Sequence, residues 1–247
     1  MKKALLLQVP YKFYEVMPIF YAEAKKHNFF DKFYIWTDYP EPYGLGEDCL
    51  VQVALKDRMF ASNMKNLLKV VDEDVFFVCC EDHIMTDQNN VATLNNAFDW
   101  FINQQDAGFL RLTHQEKAPT EGDSSPYLTL SRKYQYYISL QPAIWKRQYF
   151  ETCLKDGEGS WEFEPRGSSR VKKQSNLKSY MVKERLFWFT NFYREGKYYR
   201  RQFVDYAIKH GVKLQHDWPV YTKKRTVTLD EYIQEATQNN ANLSDEN

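Results

Sequence analysis

One stretch constrains this chain more than any other: Val75-Phe76-Phe77-Val78-Cys79-Cys80 is an unbroken apolar run, and Glu81-Asp82-His83 follow at once. A strand with one wet face would alternate apolar and polar side chains, so a short continuous run reads as a strand buried on both faces. Such a strand lies inside a sheet covered by helices on either side, which is the layering of α/β folds. The acids directly after it then fall at the carboxyl edge of that sheet, where open α/β sheets bind ligands.

The rest of the first half agrees. Short apolar runs alternate with amphipathic stretches, the pattern of parallel strands joined by crossover helices. Residues 4–9 form a predicted first strand. Val16, Ile19, Phe20 and Ala24 recur at helical spacing up to about His27, and residues 33–36 form a second strand closing in Thr37-Asp38. Tyr39-Pro40-Glu41-Pro42 is a loop, 49–55 a third strand and 60–71 a helix. Thr86 or Asp87 is positioned to cap a helix carrying Val91, Leu94, Phe98 and Phe101 on one face, Gly108 to close it, and 109–112 to form the next strand. Beyond Leu112 the regularity fades. Residues 115–126 read as a mobile surface loop, 134–140 as a strand, 143–154 as a helix, 156–159 as a turn and 201–210 as a helix, with an Asn-rich acidic tail fraying from about 236.

Aromatics make up 17 % of the 247 residues, enough to build much of the core from rings and leave some for a binding surface. Cys49, Cys79, Cys80 and Cys153 form no CxxC or Cys/His metal spacing, which suits buried thiols in a reducing cytoplasm. Lys2-Lys3 precede an apolar run that stops at Val9, too short for a secretory signal, and no stretch approaches the roughly eighteen apolar residues of a membrane span. The sequence therefore predicts a cytoplasmic protein with no integral membrane segment. No G-x-G-x-x-G, Walker A or G-x-S-x-G motif occurs.

Charge is balanced at 33 basic and 33 acidic residues, but not evenly spread. Between Pro165 and Gln202, eleven basic residues face two acidic ones, Glu184 and Glu195, with aromatic residues interleaved. An anionic partner is expected to meet the protein through this segment. The plainer alternative is a solvated helix face beside ordinary core rings.

Tyr11, Asp38 and Glu81-Asp82 fall at three strand ends. Paired acids after a buried strand are costly unless cations or donors meet them, so a divalent metal presenting phosphate oxygens is a natural partner. Alternatively Asp82 caps the next helix and Glu81 is solvated. In Ser160-Trp161-Glu162-Phe163-Glu164 an extended backbone would put the two rings on one side and the two carboxylates on the other. A carboxylate against aromatic walls has raised proton affinity, which suits a general base; equally, these acids can pair with Arg166 or Arg170. The five histidines form no HxxxH or HxH pair, and His216, before Asp217, is kept as a late metal ligand.

The segment from Val71 to Ile84 resembles the centre of small bacterial and phage glycosyltransferases of the GT-A fold. The order of the other segments matches too: Thr37-Asp38, Arg111-Leu112, Ser139-Leu140-Gln141-Pro142-Ala143-Ile144-Trp145, Trp161-Glu162-Phe163-Glu164 with Gly167-Ser168, and Glu195-Gly196-Lys197. The resemblance covers roughly residues 4 to 200. It implies a mostly parallel Rossmann-type sheet flanked by helices in one domain over 1–235, with a nucleotide-sugar-binding half at 1–112, a more irregular acceptor and catalytic half at 113–235, and a disordered tail at 236–247. The donor it implies is a nucleotide sugar, UDP-glucose or another UDP-hexose, contacted by Tyr11, Thr37, Asp38, Arg58, Glu81 and Asp82. Glu81-Asp82 stand in place of the family's Asp-x-Asp metal motif without its second acid, so Mn2+ or Mg2+ is assigned to Asp82 and Glu81 with His216. Glu164, with Glu162 behind it, falls where an inverting enzyme keeps its base. Gln141, Trp145, Trp161, Arg166, Arg170 and Lys197 are assigned to the acceptor or to anions.

The acceptor stays open between a hydroxymethylated base in phage DNA and a surface glycan or lipid-linked sugar; no protein partner is predicted. Two rivals remain: a non-catalytic nucleic-acid-binding protein using 166–201, and a sugar-nucleotide-processing enzyme with no macromolecular acceptor.

Overall fold

The computed structural model describes residues 1–10, 13–38, 45–53, 59–121, 125–194, 198–214, 216–222 and 226–244. The first half follows the expected order: β1 (Ala4–Val9), α1 (Val16–Lys26), β2 (Lys32–Thr37), β3 (Cys49–Val53), α2 (Phe60–Leu68) and β4 (Val75–Val78). After the short β5 (Ile84–Met85) come α3 (Val91–Asn103), β6 (Ala107–Arg111), β7 (Thr120–Glu121), β8 (Tyr127–Leu130), β9 (Ala143–Lys146), α4 (Arg147–Cys153), α5 (Ser160–Gln174) and β10 (Lys178–Val182). The chain finishes with β11 (Phe189–Thr190), β12 (Tyr193–Arg194), β13 (Tyr198–Arg200), α6 (Arg201–His210), β14 (Val220–Tyr221), β15 (Thr226–Val227) and α7 (Leu229–Ser244).

Nine strands form the central sheet in the order β3-β2-β1-β4-β9-β6-β10-β8-β7. β1 runs parallel to β2 and β4, and β2 to β3, so β1 to β4 all present their carboxyl ends at one edge. The period of two in each strand divides the core between the faces. Leu5, Leu7, Val75, Phe77 and Ile144 point to one side with α1, α3 and α6; Ala4, Leu6, Phe76, Val78 and Trp145 point to the other with α2, α4 and α5. β4 is buried on both faces, as its apolar run requires. Each such Phe contributes about 1.5–3 kcal/mol of burial.

Several sequence expectations are corrected. Residues 143–154 are not one helix. β9 comes first, wedged antiparallel between β4 and β6, and α4 follows; Ile144 and Trp145 go to opposite buried faces, a pattern that period alone cannot separate from a buried helix. Residues 134–140 form turns rather than a strand, because side chains of α5 take up their backbone groups: Ile138 N donates to Ser168 Oγ at 3.0 Å and Leu140 N to Glu164 Oε1 at 2.7 Å. Asn90, not Thr86 or Asp87, caps α3, its side chain accepting from Thr93 N at 3.2 Å. Gly108 lies inside β6, where a Cβ would come within 2.4 Å of the Tyr149 ring; close packing, not helix termination, demands the glycine. The 115–126 loop contains β7, and α7 continues to Ser244 where a frayed tail is expected. The loop read at 39–42 and the end of the third strand at 54–55 lie outside the described residues. Among the described residues no helix is long and apolar enough to cross a membrane.

Candidate active site

Beyond β4 the chain turns tightly, His83 N donating to Cys80 O at 3.1 Å and Cys80 N to His83 Nδ1 at 3.3 Å. The turn gathers Cys80, Asp82 and His83 so that one ligand atom from each lies within 4.8 Å of the others. Asp82 Oδ2 accepts from Asn191 Nδ2 at 2.9 Å, and its Oδ1 lies 3.7 Å from His83 Nε2. Burial pushes His83 down to about 4 against the pull of Asp82, so its ring is neutral at pH 7. Burial, reinforced by Asp82, pushes the Glu81 carboxyl up to about 8. The Cys80 thiol is likewise raised and donates to Leu140 O at 3.6 Å.

Asp82 thus lies in a group spaced to hold a cation, together with Cys80 and His83. His216 stacks on Trp218 with ring centroids 4.3 Å apart, and its backbone N–H donates to the Tyr199 hydroxyl at 3.1 Å. A search for CxxC and paired histidines passes over Cys80. The signal that finds it is local: a thiol, a carboxylate and an imidazole at positions i, i+2 and i+3 after a buried strand.

Residues 160–164 are helical, so the extended reading of that segment is overturned. Gly159 opens α5, its N–H donating to Glu162 Oε2 at 3.2 Å, and Phe163 turns inward against Phe60, Phe150 and Trp145. A helical turn of about 100° per residue separates the two carboxylates that an extended chain would align. Glu162 pairs with Arg166 at 3.1 Å, and Trp161 is 88 % exposed. Glu164 sits at the edge of the buried face. Its Oε1 accepts from Leu140 N, and its second oxygen has no hydrogen bond among the described residues. Burial raises its pKa, opposed by the Leu140 N–H and by Arg111. Arg111 is itself buried, donating through Nε to Ser139 Oγ at 3.0 Å.

Of the other assigned residues, Thr37 is buried at the end of β2 with Asp38 following, half-buried, and Gln141 is half-buried beside Leu140. Tyr11, Arg58 and Lys197 lie outside the described residues. Trp145 is fully buried, 4.5 Å from the Phe109 ring, which removes it from any acceptor surface. Arg170 forks onto the buried Glu158 (2.8 and 2.5 Å) and onto the Cys153 carbonyl. Other basic residues of the segment also have partners, but at the surface: Lys178 with Asp106 at 2.8 Å and Arg201 with Asp205 at 3.5 Å are exposed pairs, and Lys172 reaches the Tyr134 carbonyl at 2.9 Å.

No protein-family model matches the sequence, and no curated protein matches it. Solved structures do match in fold. Residues 1–349 of TarS from S. aureus superpose with a TM-score of 0.53 at 10 % identity, over 87 % of this chain and 67 % of that one. The mannosyltransferase PcManGT from Pyrobaculum calidifontis, in complex with GDP-Man and Mn2+, gives 0.54 at 9 % identity, over 85 % of this chain and 62 % of that one. The chain therefore has a GT-A-type fold, shared with these structures, and spans about two thirds of their length.

Proposed function

We propose that the protein is a nucleotide-sugar-dependent glycosyltransferase in which Glu164 is the base for the acceptor hydroxyl and the Cys80–His83 turn meets the diphosphate end of the donor. One observation carries this reading: a half-buried carboxylate of raised pKa is tied through Leu140 to the turn at the carboxyl end of β4. PcManGT, which shares the fold, binds GDP-Man with Mn2+; a UDP-hexose as donor here follows from the resemblance of the sequence segments.

Cys80, Asp82 and His83 fit a single divalent cation by their mutual spacing, once the Cys80 thiol gives up its proton, and their sulfur and nitrogen donors favour a transition metal over Mg2+. Bound there, it would supply positive charge to the departing diphosphate. In the transfer itself the acceptor oxygen bonds to the anomeric carbon as the bond to the diphosphate breaks. The hydroxyl proton passes to the Glu164 oxygen that Leu140 leaves uncovered, and a single displacement of this kind inverts the anomeric centre. The transferase reading is preferred to a nucleic-acid-binding protein because the fold is shared with PcManGT and because Arg170 of the basic segment is clamped on the buried Glu158.

The test is thermal stabilisation by nucleoside diphosphates and sugar nucleotides, with and without Mn2+, alongside assays of sugar release and transfer. A ligand at a hundred times its Kd adds about 2.7 kcal/mol, several degrees for a chain of this size. A metal-dependent shift that disappears in Asp82→Ala and persists in Glu164→Gln, with turnover lost in the latter, is expected. No shift with any nucleotide removes the reading, and release of pyrophosphate from a nucleoside triphosphate and a sugar phosphate would replace it with nucleotidyl transfer.

A further inference from the structure

We infer that Arg185 binds the diphosphate of the nucleotide ligand, as a cation mounted on two aromatic rings at the rim of the Cys80–His83 turn; this rests on the donor site proposed above. The Arg185 guanidinium lies 5.2 Å from the Trp188 ring centroid and 5.1 Å from that of Phe189. Phe189 in turn packs on His83 at 4.1 Å. Cation, ring and imidazole are therefore in contact in that order towards Asp82, the planes of Phe189 and His83 tilted by 45°.

Arg185 differs from the paired cations of the basic segment in having no acid partner among the described residues. Arg166, Arg170, Lys178 and Arg201 all pair with carboxylates. Arg185 is exposed and, among the described residues, has neither an ion pair nor a hydrogen bond to engage its N–H donors.

Its mounting is nevertheless fixed. β11 pairs with β5, directly after the turn. Trp188 N donates to Asn89 Oδ1 at 2.9 Å, and Trp188 O accepts from Thr86 N at 3.1 Å and from Asn89 Nδ2. On the other side, Leu186 N and Phe187 N both donate to Leu112 O at 3.0 Å. A guanidinium stacked on rings keeps its fork preset and forfeits little entropy when a ligand arrives. Paired phosphoryl oxygens match that fork in charge and geometry.

The experiment is calorimetric titration, with Mn2+ present, of a nucleoside, its monophosphate and its diphosphate (the uridine and guanosine series as probes). It is run on the native protein, Arg185→Ala and Arg185→Lys, with far-UV circular dichroism to confirm folding. Arg185→Ala is expected to lose about tenfold or more in diphosphate affinity while nucleoside affinity stays unchanged. Arg185→Lys should recover only part of the loss, and Trp188 fluorescence should respond to the diphosphate but not to the nucleoside. An unchanged diphosphate-to-nucleoside ratio in Arg185→Ala overturns the assignment and leaves the transferase reading standing. Equal loss for nucleoside and diphosphate also overturns it, moving Arg185 to the base. If the native protein binds none of the probes, the donor site itself fails and the assignment falls with it.

Discussion

Glu164 and Cys80 are fastened to opposite sides of one peptide residue: Leu140 donates its N–H to Glu164 Oε1 at 2.7 Å, and its carbonyl accepts from Cys80 Sγ at 3.6 Å. Two segments far apart in sequence, the end of β4 and the first turns of α5, are thereby held to a common frame. Ser168 repeats the attachment one helical turn on, its Oγ accepting from Ile138 N at 3.0 Å.

Glu164→Gln should therefore retain the fold, since the amide oxygen still accepts from Leu140, while removing the base. A general base contributes about 10²–10⁴-fold to rate, and turnover should fall within that range with donor affinity unchanged. Steady-state transfer and nucleotide titration on the same preparation check this. Loss of binding in step with rate would mean that Glu164 is a structural tether only.

The pH profile gives an independent reading of the same group. Burial raises the Glu164 pKa above the ordinary value of 4.5, and a base works only when deprotonated. Transfer should thus decline on acidification through a pKa above 4.5, and Glu164→Gln should lose that limb of the profile. Arg111→Gln, which removes the opposing charge, should move the limb to higher pH.

Stability carries its own acid limb, through Glu23. This residue is 1 % exposed, and although burial alone would raise its pKa, hydrogen bonds from His210 Nε2 at 2.9 Å and Lys209 Nζ at 3.1 Å bring it below the ordinary 4.5. A carboxylate of depressed folded pKa stabilises above its unfolded pKa and ceases to do so as the pH falls through the folded one. Native protein should accordingly lose melting temperature below pH 4.5, and Glu23→Gln should start lower and lose less over the same interval. Equal slopes would remove the α1–α6 ion pair from the account of acid unfolding.

Much of the architecture is legible in the sequence because the signals are local. The double burial of 75–78, the helical stripe of Val16, Ile19, Phe20 and Ala24, and the position of Asp82 at a strand end all survive in the structure. What failed depends on contacts distant in sequence. β9 is a strand because β4 and β6 flank it, Gly108 is required by Tyr149 forty-one residues on, and 160–164 is a helix because Phe163 finds Phe60 and Phe150. The site suffered in the same way. Asn191 reaches Asp82 across 109 residues, a relation that no motif spacing records.

Arg170 and Arg166 show how alike two arginines look in sequence and how differently they act. Arg170 forks onto Glu158, which is 3 % exposed, and onto the Cys153 carbonyl; it joins α5 to the end of α4. Arg166 is exposed and meets Glu162 one helical turn away. Truncating Arg170 leaves the buried Glu158 only its longer 3.9 Å contact to Arg166, a loss approaching the about 3–5 kcal/mol of a broken buried pair, whereas an exposed pair is worth about 0–1 kcal/mol. At roughly 2–4 °C per kcal/mol, Arg170→Ala should melt at least about 6 °C below the native protein and Arg166→Ala within a few degrees of it. Arg170→Met, which keeps the stem but not the charge, should be nearly as unstable as the alanine variant unless Glu158→Gln is added, because the stranded charge rather than lost packing is the cause. If Arg170→Ala instead keeps its melting temperature and loses affinity for nucleotide or polyanion, the arginine belongs to a ligand and the clamp does not.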